Sequence, residues 1–308
     1  MFTLCHDYPE LSNDFQFVKE VVDTQVTSFV SKYTYDEEEN PFTNIHPESL
    51  TLEEKVDFWI DAIDRNWLLE EKEKEIAYSL EKYICANPYI NYEDAYNRFA
   101  TVSITNIPFR NGRVSALYDR SSNVIKNYNC YRKEQERFQM DMTHEFVHIT
   151  GHLDNVMLNE GMTSLICHEF YDGNYEDGYN RHPVMCKILC ELIDSDTMLE
   201  AYSKHDMSII ENALYRIYPD KDYNTQFLNL LDSYARCQRV DVVEEFVIKE
   251  KVNEIVEYLN GYLRRAYISK DTKKAILYYY YVPFLLDTYG VSPKTYFSTS
   301  INNYQKVK

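Results

Sequence analysis

Glycine is scarce in this chain, with seven residues in 308, and proline contributes only nine. None of the glycines falls into a phosphate-binding loop pattern, which removes the nucleotide-dependent classes that need one. The same scarcity argues against a turn-rich sheet protein, and the 29 tyrosines point to helices packed through aromatic side chains. Basic residues are also in deficit, 32 Lys and Arg against 50 Asp and Glu. The formal net charge of −18 leaves no basic stripe to pair with phosphate, so a nucleic-acid partner is excluded from the reading.

Long apolar runs are missing as well. The opening residues MFTLCHDYPELSND carry neither the basic start nor the apolar core of a signal peptide. The most apolar later run, residues 275–289, contains Pro283 and is too short for a membrane span. The seven cysteines include no C-x-x-C pair, and Cys186 and Cys190 read as small buried hydrophobes in an apolar helical run. Unpatterned thiols in odd number favour a reducing compartment, so a soluble and cytoplasmic protein is expected. With 44% hydrophobic residues, the chain can bury the core of one large or two modest domains. Internal repeats and a Ser/His/Asp spacing are absent too.

What is present is concentrated in residues 140–171, MDMTHEFVHITGHLDNVMLNEGMTSLICHEFY. His144, Glu145 and His148 form H-E-x-x-H, which carries a mechanism when it lies on a helix. Residues at i and i+4 share a helical face, so both imidazoles can reach one cation. Glu145 projects beside them, where its carboxylate can take a proton from a water activated by that cation. Met142, Phe146, Val147 and Ile149 supply an apolar back to the helix, and Gly151 is a natural stop. Two residues compete to be the third ligand. The frame His144-Glu145-x-x-His148-x-x-Gly151-x-x-Asp154 has the extended metzincin spacing with aspartate in the last position. Against it, a second helical run opens at Leu158-Asn159-Glu160-Gly161, where a first-turn glutamate can close a His₂Glu site.

These motifs resemble the gluzincins, most closely the small bacterial zinc peptidases of the HExxH…EG type. The pattern R-H-P-x-x-x-x-x-L-C-x-L-I from Arg181, followed by an acidic turn and L-x-A-Y, is similar to their continuation. The resemblance implies a Zn²⁺ cofactor held by His144, His148 and Glu160, with Glu145 as general base. It implies small strands just before the active helix, one of them an edge strand that pairs with an extended peptide or protein substrate. Residues 124–129 are expected in that role. A donor to the oxyanion is implied too, and Tyr179 and His182 are the nearest candidates in sequence.

The rest reads as helices. Helical spacing is expected over 11–32, from a cap at Ser49 with Glu53 near the start, over 68–84, and over 89–102. Turn signals between 103 and 132 separate β-capable runs at 114–118 and 124–131. Beyond 182 come further helices, two of them within 223–262, then a tyrosine-rich apolar run at 273–286 and a polar tail from Val291. The expected fold is mainly α with a small β-sheet. A zincin-like catalytic core over 103–205 would be flanked by an N-terminal helical region, 1–102, and a C-terminal one, 206–308. A zinc hydrolase of a non-peptide substrate, and an inactive helical binding protein on a zincin scaffold, are the alternatives.

Overall fold

The first helix among the described residues begins where Thr51 and Glu54 satisfy each other's backbone. In the computed structural model, which describes residues 50–107, 114–128, 135–171, 181–238 and 245–270 together with residues 273 and 276, α1 spans Leu52–Arg65. The Thr51 hydroxyl accepts from the Glu54 N–H, and the Glu54 carboxylate accepts from the Thr51 N–H. This reciprocal box closes at a separation of three residues, which corrects the expected start. Ser49 and Glu53 stand one residue too far apart to form it.

Three short helices follow, α2 (Glu71–Tyr78), α3 (Glu81–Ala86) and α4 (Tyr92–Phe99). The helix expected over 68–84 is therefore two helices, with Ser79 and Leu80 between them. Asn66, fully buried after α1, ties this group together. Its Nδ2 donates to the carbonyls of Phe99 and Val102 at 2.7 and 2.8 Å, and its Oδ1 accepts from the Leu68 N–H at 2.8 Å. Asn66→Ala strips the partner from three backbone groups in a buried setting. The expected loss is about 3 kcal/mol of unfolding free energy, read as a lower urea midpoint at unchanged slope. A midpoint equal to the parent's would remove this tie from the account.

Three strands come next, β1 (Ser103–Asn106), β2 (Ala116–Asp119) and β3 (Val124–Asn127), in the spatial order β1-β3-β2. β1 lies parallel to β3 with Ser103 opposite Val124, and β2 lies antiparallel with Asp119 opposite the same valine. In the turn between β2 and β3, Asp119 accepts from the Ser121 N–H, and Asn123 takes a left-handed φ of 53°. The sheet corrects one expectation. β3, which covers most of 124–129, is the central strand, and its ladder groups are used on both sides. Among the described strands the edge facing the active helix is β2.

The remaining helices among the described residues are α5 (Gln135–Thr150), α6 (Val156–Phe170), α7 (His182–Ile193), α8 (Ser195–Lys204), α9 (Met207–Ile217), α10 (Lys221–Gln238) and α11 (Glu245–Arg265). α5 is packed by β2, α2, α4 and α6, and Met142, Phe146, Val147 and Ile149 on it are fully buried. α6 packs in turn against α7, α8 and α10. The fold is mainly helical with a small mixed sheet directly before α5, as the sequence leads one to expect. No helix among the described residues is long and apolar enough to cross a membrane. The helix expected over 11–32 and the tail from 291 lie outside the described residues, as does 273–286 apart from Lys273 and Ile276.

Candidate metal centre

Because α5 is covered on so many sides, its polar residues are buried with its apolar ones. His144, Glu145 and His148 are only 5, 6 and 8% exposed. Burying such groups costs several kcal/mol each unless partners compensate. The four-residue spacing brings the two imidazoles to a centroid separation of 4.8 Å, with Nε2 atoms 3.2 Å apart. The third member comes from α6. That helix starts at Val156, two residues before the expected Leu158, because the Asn155 side chain caps it by accepting from the Leu158 N–H. Asn155 is itself anchored by donating to the Leu228 carbonyl on α10. Glu160 then falls in the second turn of α6, facing α5. Its Oε2 lies 3.1 Å from His144 Nε2 and 3.5 Å from His148 Nε2.

These distances test whether a cation fits. Bonds of 2.0–2.1 Å in a tetrahedral arrangement require ligand atoms about 3.3 Å apart. The observed edges of 3.1, 3.2 and 3.5 Å bracket that value. His144, His148 and Glu160 form the one such group of potential ligands among the described residues. Asp154 does not join it. Its side chain is 92% exposed and sits 3.2 Å from His152 Nε2 on the loop between α5 and α6. Of the two third-ligand readings, the geometry supports Glu160.

Electrostatics separates the two glutamates. Burial alone would raise Glu160, but the two imidazoles beside its carboxylate hold it well below the usual carboxylate range. Glu145 goes the other way. Burial pushes it up to about 7, with the His144 charge pulling down and the Glu160 charge pushing up. Its Oε2 accepts from the Tyr118 N–H of β2 at 2.6 Å, so the edge strand fixes the carboxylate in place. One carboxylate is thereby kept as an anion that can ligate, and its neighbour is poised to exchange a proton near neutrality.

A cleft of 590 Å³ opens on this centre. His148, Asn159 and Glu160 line it together with Leu117, Tyr118 and Asp119 of β2, the turn residues Arg120 and Ser121, the loop from His152 to Asn155, Val156 at the start of α6, and Arg236 of α10. Arg120 is held by Asp94 at 2.8 Å and His205 Nδ1 at 3.2 Å, which ties the strand turn to α4 and to the end of α8. His152 carries a signal in the sequence, since it repeats the i+4 step after His148. α5 stops at Thr150, however, and burial together with the His148 charge keeps His152 below its ordinary pKa. Of the two oxyanion candidates, Tyr179 lies outside the described residues. His182 is buried at the start of α7 and does not line this cleft. Its carbonyl lies where a side chain on Gly161 would have to go, so α7 closes against α6 directly behind Glu160.

The buried His144/His148/Glu160 set matches the HExxH…E ligand arrangement of zinc peptidases and suits zinc-dependent hydrolytic chemistry. Comparisons with protein-family models, curated proteins and solved structures found no match.

Proposed function

We propose that this chain hydrolyses peptide bonds with zinc held by His144, His148 and Glu160. The observation that carries the reading is the buried triangle of ligand atoms, with Glu145 beside it and a cleft open to it. Zinc bound there would supply Lewis acidity, making a water acidic and polarising a carbonyl. Glu145 takes the proton of the attacking water and returns it to the leaving amine, which its elevated pKa suits.

The sheet supports one placement for an extended substrate. The Tyr128 N–H donates to the Ser115 carbonyl, so alternation along the antiparallel pair turns Leu117 and Asp119 toward β3. Ala116 and Tyr118 then present their main-chain groups to the open side, in keeping with the Tyr118 N–H meeting Glu145. An extended peptide adding to β2 would pair with the Ala116 main chain and the Tyr118 carbonyl, beside the ligand cluster, the Tyr118 N–H being held by Glu145. The oxyanion donor is proposed among Tyr179, His182 and His152, of which His152 lines the cleft. The catalytic core is assigned to 103–205, with 1–102 and 206–308 as helical support.

A peptide library incubated with the zinc-loaded protein tests this reading. Cleavage is expected to stop on adding a zinc chelator and to return when zinc is restored. Cleavage that survives chelation would contradict it. Stoichiometric zinc with no peptide turned over would move the proposal to a non-peptide substrate or to a binding role.

A further inference from the structure

Behind His148 lies a hydroxyl pair that the chemistry above does not use. His148 Nδ1 is 3.1 Å from Thr163 Oγ1, and Thr163 Oγ1 is 2.7 Å from the Tyr202 hydroxyl. Thr163 and Tyr202 are fully buried, so no water competes for these contacts. The proton inventory decides their direction. Thr163 has one hydroxyl proton, and its Oγ1 lies 2.8 Å from the Asn159 carbonyl one turn earlier in α6. A carbonyl only accepts, so that proton is committed there. The two lone pairs of Oγ1 are left to receive donors, the His148 Nδ1–H and the Tyr202 O–H, which lies 2.7 Å from Oγ1 against 3.4 Å from the Val147 carbonyl. Asn159 is the competing partner: its Oδ1 accepts from the Leu153 N–H, which turns its amide N–H₂ toward His148 Nδ1, but at the longer distance of 3.4 Å against 3.1 Å for Thr163 Oγ1.

Tyr202 is in turn placed by the HExxH helix itself. A Cβ on Gly151 would sit 2.1 Å from the tyrosine ring, and the His152 N–H donates to the Tyr202 carbonyl at 2.9 Å. Gly151 is therefore small to admit this ring. The glycine just past α5, Thr163 three residues after Glu160 and a tyrosine on α8 converge on one ring nitrogen.

We infer that Thr163, oriented by Tyr202, fixes His148 in the tautomer protonated on Nδ1 and so presents its Nε2 lone pair to the cation. Both act as positioning residues, and the inference rests on the metal site proposed above. Outer hydrogen-bond partners of this kind typically change metal affinity 10–100-fold.

Two measurements on the full-length chain test it. Long-range ¹H–¹⁵N NMR of the zinc-free protein is expected to show His148 protonated on Nδ1 in the parent, and to lose that preference in Thr163→Val. A parent in the Nε2-protonated form would overturn the inference, whether or not zinc binds. Zinc affinity by chelator competition is expected to weaken roughly 10–100-fold in Thr163→Val, while Thr163→Ser stays within about threefold of the parent. A folded Thr163→Val with the parent's affinity would also overturn it. If that variant does not fold, Tyr202→Phe, which deletes a single oxygen, replaces it under the same criterion of weakened zinc binding. A parent that binds no zinc would instead sink the metal reading, and the tautomer would still decide this one.

Discussion

Glu145→Gln is expected to keep close to one zinc per chain and to lose peptide hydrolysis by at least about a hundredfold. The two readouts separate because Glu145 has a role outside the ligand triangle. The Tyr118 N–H occupies its Oε2, and a glutamine oxygen can accept the same bond, so the link between α5 and β2 survives the change. The variant loses only the ability to hold a proton and give it back. Folding should not suffer, since burial already raises this carboxyl to about 7 and a neutral amide is no worse solvated there. Full turnover in the variant would exclude Glu145 as the base. Loss of zinc and helical signal together would make it a ligand or a structural support, and the mechanism would need rebuilding.

Glu160→Gln should act on the other half of the site and lower zinc affinity by at least about a hundredfold, with the helical content largely kept. The reason is charge as well as geometry. Glu160 is only 6% exposed, and the imidazoles hold it ionised against the pull of burial. It brings a formal negative charge to the cation that a glutamine cannot. Asp154→Asn is the matched control. With its side chain 92% exposed and turned to His152, it should leave zinc content at the parental level. Normal affinity in the Glu160 variant together with severe loss in the Asp154 variant would reverse the ligand assignment.

The parts of this site that were legible in the sequence are those set by local periodicity. An i, i+4 histidine pair on a helix needs no tertiary information to converge, and it does so here. The choice between Asp154 and Glu160 was harder, because it depends on where α6 begins. Asn155 decides that, and its cap is reinforced by Leu228 from a helix 73 residues away, a contact that no spacing rule reveals. The strand error has a similar origin. Both β-capable runs flanking the turn were visible, and both form strands, but strand order is a tertiary property. The parallel pairing of β1 with β3 puts 124–127 in the middle of the sheet and passes the edge to β2. Gly151 reads as a helix stop in the sequence, and α5 does end just before it, yet its stronger constraint is the Tyr202 ring lying against its missing side chain. The Thr51–Glu54 box, by contrast, was within reach of the sequence alone, since its three-residue spacing is the one that closes both bonds.

The central claim is that two imidazoles and one carboxylate of this chain hold a zinc ion with room left for substrate. X-ray absorption at the zinc edge, recorded on the loaded protein, tests it most directly. The account predicts a nitrogen and oxygen shell at about 2.0–2.1 Å, with multiple-scattering features of two imidazoles and no sulfur neighbour at about 2.3 Å. A sulfur shell, or the signature of a single imidazole, would contradict it.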